Sequence, residues 1–287
     1  MIDALIIGGD SLIGRALYRH LTSAGKSVVA TSRRTAADAS GSMYFDLSKP
    51  VDIDLPSQMV IMCAGITDLK RCESDPSGTR RINVDATLSV FEAAHAAGSR
   101  VIYLSSHAVF DGALPMLPVD APASAIIEYG RQKAEVERGV LAFGPRASVV
   151  RMTKVMSCRV PLVSKWISAL ERLETITPFE DLVMSPISLR YLVSLITDPR
   201  LEGIVHASSA MQLTYAEFAT DFVKALGFSA GLVRPVNSKD AGIDLLYHPR
   251  FTTLAMVETE ARFGVGPQKL ESVLTDLARE YVPDRAK

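Results

Sequence analysis

The chain has 287 residues, 48% of them hydrophobic, enough for a large core in one or two domains. Its 31 basic and 32 acidic residues give a formal net charge of -1, so no basic excess points to a nucleic-acid partner. The three cysteines, Cys63, Cys72 and Cys158, form no pair motif and no metal spacing, which argues against a disulfide framework and a metal site and suits a reducing cytoplasm.

The N-terminus is apolar but turns polar by Asp10, with no basic start or cleavage site, so no signal peptide is expected. No window approaches ~20 uninterrupted apolar residues, and no membrane span is expected. Residues 4–8 form an apolar run ended by glycine and read as a buried parallel strand. Residues 12–24 carry Leu12, Ala16, Leu17 and Leu21 at helical spacing, with Gly25 as the stop. Strands follow at 27–31, 59–63, 100–105 and 147–152. Val84, Leu88 and Phe91 mark one long helix over 79–97, and another runs over 128–143. This alternation predicts an α/β fold: a Rossmann-type doubly wound parallel sheet covered on both faces. After about residue 152 the rhythm loosens. Helices at 162–173, 189–197, 215–226 and 270–281, with a short strand at 203–206, read as a smaller mixed C-terminal lobe. The expected division is a cofactor-binding domain over 1–155 and a mainly substrate-binding lobe over 156–287. The boundary is soft, because such a lobe can return strands to the sheet.

Gly8-Gly9-Asp10-Ser11-Leu12-Ile13-Gly14 is a strand-to-helix turn. Glycine lets the backbone pass close to a pyrophosphate, and the helix N-terminus offers it free amides and a partial positive charge. Ser11 stands where a third glycine would be, and either caps the helix or donates to a phosphate oxygen. After the second strand a carboxylate would bind ribose hydroxyls and favour NAD. Here Thr31-Ser32-Arg33-Arg34 stands instead, and guanidinium groups pair with a 2′-phosphate, which favours NADP(H) over NAD(H). Asp46-Leu47, after the run 43–45, is a candidate for the adenine edge.

Tyr129 and Lys133 stand four residues apart, on one face of a helix. An ammonium beside a phenol lowers its pKa and suits Tyr129 to donate a proton to a carbonyl oxygen. Lys133 is also placed to hold the nicotinamide ribose. Ser106 ends the 100–105 strand, at the carboxyl edge where α/β ligands bind, and its hydroxyl can polarise the same carbonyl. A bare Y-x-x-x-K recurs by chance as surface residues; its weight here lies in the order of glycine turn, serine and tyrosine.

These residues resemble the extended short-chain dehydrogenase/reductases. Within them the chain is similar to the dTDP-4-dehydrorhamnose reductases and the methionine adenosyltransferase regulatory β subunits. The resemblance is carried by Gly8–Gly14 with Arg15-Ala16-Leu17, Cys63-Ala64-Gly65, Glu73-Ser74-Asp75-Pro76, Ile82-Asn83-Val84-Asp85-Ala86, Ser105-Ser106-His107-Ala108-Val109-Phe110-Asp111-Gly112 and Tyr129–Lys133. It is close over 1–155 and loose beyond. It implies a Ser106-Tyr129-Lys133 triad, with Asn83 organising the site. Gly8, Ser11, Leu12, Ile13 and Gly14 would cradle the pyrophosphate, Arg33 would meet the 2′-phosphate, and Cys63, Ala64 and Gly65 would line the cofactor. The implied substrate is a small molecule, a nucleotide-linked keto-sugar, and a homodimer through the helices at 79–97 and 128–143 is possible.

Three departures stand out. Ser11 replaces the central glycine, His107-Ala108 replaces Asp-Tyr after the serine, and the segment 152–159 is short, with Lys154 near the place of an aromatic residue. His107 and Lys154 are thereby candidate substrate contacts. The expected activity is reduction of a sugar carbonyl with NADP(H). The alternatives are a nucleotide-sugar epimerase or dehydratase, and an NADP-binding regulatory or scaffold subunit with little turnover.

Overall fold

The computed structural model describes residues 1–34, 42–50, 56–243 and 245–281. In chain order it runs β1 (Ile2–Ile7), α1 (Leu12–Ser23), β2 (Val28–Ser32), β3 (Ser42–Tyr44), β4 (Ser57–Met62), α2 (Leu69–Ser74) and α3 (Pro76–Arg80). A π-helical turn (Arg81–Ala86) leads into α4 (Thr87–Ala96), followed by β5 (Arg100–Ser106), α5 (Glu128–Leu141) and β6 (Ala147–Met152). Beyond these lie β7 (Lys154–Met156), α6 (Pro161–Glu171), β8 (Val183–Met184), β9 (Pro186–Ser188), α7 (Leu189–Ile196), β10 (Gly203–Ala207), β11 (Leu213–Thr214), α8 (Tyr215–Ala225), α9 (Val257–Phe263) and α10 (Leu270–Glu280).

Seven strands form one sheet in the order β3-β2-β1-β4-β5-β6-β10, and every neighbouring pair is parallel. The order reverses at β1, between β2 and β4, so a crevice opens at the carboxyl ends of β1 and β4. Strand residues alternate between faces, yet both sets are apolar, because helices cover both sides. Ile6, Ile61, Ile102 and Leu104 pack with Leu17 of α1 and Leu192 and Ile196 of α7. Leu5, Ile7, Val60 and Tyr103 pack with Phe91 of α4 and Val136 and Val140 of α5. A third core joins Met156, Trp166, Leu170, Phe218, Phe222 and Leu277 in the C-terminal half. That half also returns to the sheet, since β10 pairs with β6 in register His206 with Arg151.

The long helix expected over 79–97 is broken. α3 ends at Arg80, and one π-helical turn precedes α4. The apolar spacing continues across the turn, so periodicity does not reveal it. The wider turn buries Asn83 and Val84, and such turns recur at functional sites. The short helices α2 and α9 and the two-stranded pairings β8 with β11 and β7 with β9 also carry no periodicity signal. Among the described residues no helix is long and apolar enough to cross a membrane.

Candidate active site

The glycine turn sits at the mouth of the crevice. Gly8 has φ of 87°, and a Cβ there would lie 2.7 Å from the Ala64 nitrogen, so only glycine lets β1 and β4 end side by side. The turn is pinned from β2: Gly8 N–H donates to Thr31 Oγ1 at 3.1 Å and Gly9 N–H to the Thr31 carbonyl at 2.7 Å. Ser11 caps α1, accepting Gly14 N–H at 3.0 Å through its Oγ. That bond uses the oxygen as acceptor and leaves the hydroxyl proton for an anion. The side chains of Leu12 and Ile13 turn away, the first into a second cavity and the second onto the core. Their backbone N–H groups have no acceptor among the described residues, so the amides are what they offer a phosphate.

The cleft that follows has a volume of about 440 Å³ and is lined by Gly8, Ser11, Arg33, Asp46, Leu47, Cys63, Ala64 and Gly65, all expected from the sequence. Phe45, Ile66, Asp68 and Arg71 line it too and carry no separate sequence signal. Buried Phe45 and Leu47 supply an apolar wall. Asp46 Oδ1 accepts Ser48 N–H at 2.9 Å and its hydroxyl at 2.8 Å. The Ser48 bonds chiefly, with a smaller part from the Arg33 guanidinium, hold the Asp46 carboxyl below its ordinary range. Arg33 is exposed at the rim, while Arg34 leans to Asp10 at 3.7 Å. These features fit a dinucleotide: a backbone cradle closed to side chains, free amides, an apolar wall and a cation at the far end. A larger cavity of about 610 Å³ lies between α1, α7 and α10, but of the glycine turn and triad residues only Leu12 reaches it.

The wall after β4 is held by Asn83. Its Oδ1 accepts Ile66 N–H at 2.7 Å, and its Nδ2 donates to the Ile66 carbonyl at 3.0 Å and to Gln132 Oε1 at 2.8 Å. Gln132 lies on α5, between Tyr129 and Lys133, so one asparagine ties the wall of the cleft to α5. The α5 N-terminus is capped from α2, where Glu73 Oε1 accepts Glu128 N–H at 2.6 Å. Close approach is set by Gly130, where a Cβ would lie 2.0 Å from the Ala108 carbonyl. That contact seats α5 on the turn directly after Ser106.

The structure brings Ser106, Tyr129 and Lys133 together. The Ser106 hydroxyl favours the ionised form of the Tyr129 phenol, which places the two side chains at one site, and the Ser106 oxygen accepts Ala108 N–H at 3.2 Å. Lys133 Nζ donates to the Leu104 carbonyl at 2.9 Å and lies 4.6 Å from the Tyr103 ring centroid and 5.6 Å from that of Tyr129. Burial brings Lys133 down to about 8, against the opposing pull of Glu137. Burial pushes Tyr129 up, with Cys72 adding and Ser106 opposing. The lowering expected from Lys133 is not found: desolvation governs the phenol, and the ammonium is aimed at Leu104 and the Tyr103 ring. Cys63 lines the cleft near Lys133 and is pushed up to about 12 by burial, so it stays a thiol.

Beyond the triad lie His107 and Lys154. The His107 ring is 6.1 Å from the Tyr247 ring, and burial brings its pKa down to about 4, with the Met152 carbonyl opposing and Lys154 adding. Lys154 is half-buried, 6.0 Å from the Tyr215 ring centroid. It opens β7, two residues past Met152, the cross-strand partner of Ser106, and pairs with Pro186 of β9 in a separate two-stranded sheet. Tyr247, whose hydroxyl donates to the Phe110 carbonyl at 3.1 Å, joins this wall without a sequence signal. His206 lies in the core instead, its Nδ1 2.8 Å from the Ala255 carbonyl. Cys158 is pushed up to about 12 by burial, so it too is a thiol. Among the described residues no cluster of three or more His, Cys, Asp or Glu is placed to hold a metal ion.

The sheet, its switch-point cleft and the Ser-Tyr-Lys set define an NAD(P)-dependent oxidoreductase of the extended short-chain dehydrogenase/reductase type. The chain belongs to the RmlD substrate binding domain family, which it matches over residues 2–282. It is 26% identical over 255 residues to methionine adenosyltransferase 2 subunit beta of Xenopus laevis, covering 83% of this chain and 76% of that one. It is also 26% identical over 257 residues to dTDP-4-keto-6-deoxy-D-glucose reductase of Streptomyces niveus, covering 87% of each. In fold it is similar to dTDP-4-dehydrorhamnose reductase of Bacillus anthracis in complex with NADP, with a TM-score of 0.84, 19% identity and coverage of 98% and 99%. It is similar too to MoeE5 in complex with UDP-glucose and NAD, with a TM-score of 0.75, 20% identity and coverage of 97% and 98%.

Proposed function

We propose that the protein reduces a keto group on a nucleotide-linked sugar, with NADP(H) as cofactor and Tyr129 as the proton donor. The observation that carries this reading is the meeting of Ser106 and Tyr129 at the carboxyl edge of β5, with Lys133 beneath them. A bound nicotinamide would supply the hydride to the carbonyl carbon. Burial keeps the Tyr129 phenol protonated at neutral pH, the form in which it can give a proton to the carbonyl oxygen. Ser106 hydrogen-bonds that oxygen and sets the carbonyl plane. Lys133 adds positive charge beneath the phenol and holds the ribose. His107, Lys154 and Tyr247 form the substrate wall. For the cofactor, Arg33 follows β2 where NAD enzymes place a carboxylate, which favours the 2′-phosphate. The relative named as a dTDP-4-keto-6-deoxy-D-glucose reductase supports the substrate class.

The relatives named methionine adenosyltransferase 2 subunit beta favour a second reading, a cofactor-binding subunit with little turnover. The two part in one experiment. Purified protein with NADPH is given a panel of dTDP- and UDP-linked keto-sugars. The reductase reading expects NADPH oxidation that matches the alcohol formed, mole for mole. Tight NADPH binding with no consumption across the panel would favour the subunit.

A further inference from the structure

The inner face of α5 carries a third residue beside the tyrosine and the lysine. Glu137 stands four residues after Lys133 and is 3% exposed, and Arg151 of β6 is 4% exposed. Arg151 Nη2 donates to Glu137 Oε2 at 2.7 Å, and its Nε lies 3.1 Å from both carboxylate oxygens. The Ser105 hydroxyl donates to Glu137 Oε1 as well. Arg151 reaches further: Nη1 donates to the Val119 carbonyl at 3.0 Å, and the guanidinium lies 5.1 Å from the Phe110 ring centroid. Ser105 and Arg151 are cross-strand partners. Ser105 stands between Ser106 and Leu104, whose carbonyl takes the Lys133 ammonium. The pair thus joins β5, β6, α5 and the segment before α5, with Ser105 one residue from Ser106 and Glu137 one helical turn from Lys133.

A buried ion pair is a poor source of stability, since well-packed apolar residues often do as well. Its use must be sought in charge and register. The groups facing Lys133 are Tyr129 and Glu137 on its own helix, Tyr103 on β5, Cys63 after β4 and Cys72 on α2. Burial keeps both thiols and both phenols neutral. Glu137 is the one carboxylate in that set.

We propose that Glu137, clamped by Arg151 and Ser105, is a positioning residue of the reductase site: it is the counter-ion of Lys133, and it fixes α5 on β5 so that Tyr129 faces Ser106. Without the carboxylate, Arg151 becomes an uncompensated cation in the same buried network, and the Lys133 ammonium is disfavoured twice over. Removing both partners returns the network to neutrality but loses the register.

The catalytic half of this inference rests on the reductase reading; the charge half does not. Competitive acylation of Lys133 across pH, read by mass spectrometry of its peptide, needs no substrate. In Glu137→Gln the half-labelling pH should fall by about one unit, tenfold in the protonated ratio. In Glu137→Gln/Arg151→Met, which removes the stranded cation but not the loss of the counter-ion, it should fall by less than in the single variant and stay below the parent. A Glu137→Gln protein that binds NADPH like the parent and labels Lys133 at the parent pH would remove the counter-ion role. Should that variant not fold, the double variant still decides the register. It should lose at least tenfold in kcat with KM for NADPH unchanged, and parental kcat would overturn the positioning role. If the parent itself turns over no keto-sugar, the reductase reading fails while the labelling result stands.

Discussion

Asn83 grips the backbone of Ile66 with both atoms of its amide, accepting the N–H at 2.7 Å and donating to the carbonyl at 3.0 Å. The π-helical turn delivers that amide, and Ile66 lines the cofactor cleft. Replacing Asn83 by Leu leaves the part-buried Ile66 N–H without a partner, at about 1–3 kcal/mol, and its carbonyl with the Cys72 thiol alone. Part of that cost falls on the wall that meets the cofactor. The Asn83→Leu protein should therefore bind NADPH at least tenfold more weakly by calorimetry, with a smaller change in kcat at saturating cofactor. Unchanged affinity would mean that the clamp serves the fold alone.

Tyr129→Phe removes the proposed proton donor and keeps the ring. General acid catalysis contributes roughly 10²–10⁴-fold, so kcat should fall by about that factor in the keto-sugar assay. NADPH affinity should stay within about threefold, because Lys133 keeps its bond to Leu104. A Tyr129→Phe enzyme with more than a tenth of the parental kcat would dismiss the phenol as the acid.

The sheet and the grouping of Ser106, Tyr129 and Lys133 were legible in the sequence for a common reason. Each depends on a local pattern: an apolar run ended by glycine, or a tyrosine and a lysine one helical turn apart. The Gly8 turn and Ser106 both fall at strand ends, where the sequence marks them. The Glu137–Arg151 pair joins residues that meet only when α5 packs on β5 and β6, so no local pattern shows it. One signal was there: Arg151 is a lone charge in the run Ser148-Val149-Val150-Arg151-Met152, a strand buried throughout. A charge in such a strand needs a partner. Tyr247 gave no signal at all, since an irregular segment brings it to Phe110 and His107.

Arg33 lies at the rim of the cleft beside Asp46. A charge-assisted bond to a 2′-phosphate contributes about 1.5–3 kcal/mol, and less where solvent screens it. Arg33→Ala should raise the dissociation constant of NADPH by about tenfold and leave that of NADH within about twofold. Titrations of both cofactors at low and moderate salt would check this. An equal loss for the two would assign Arg33 to the shared part of the dinucleotide. No loss for either would pass the 2′-phosphate to Arg34, which pairs with Asp10.

His107 and His206 are both brought down to about 4, in each case by burial first, with a backbone carbonyl opposing. Their folded pKa values lie below the unfolded value of about 6.5, so between those limits the unfolded chain holds more protons than the native one. Their contribution to stability is complete above about pH 6.5 and is lost as the pH falls towards 4. From pH 7 to 5 the loss is about 2 kcal/mol for each ring, at about 1.36 kcal/mol per unit. The lowered carboxyls of Asp3, Asp46, Asp181 and Asp198 act further down the scale, leaving this window to the histidines. Urea midpoints should therefore drop from pH 7 to pH 5. His206→Asn keeps a donor for the Ala255 carbonyl, since the asparagine amide stands near Nδ1, and carries no titrating ring. It should remove about half of the drop, while an unaltered drop in that variant would clear His206 of the acid sensitivity.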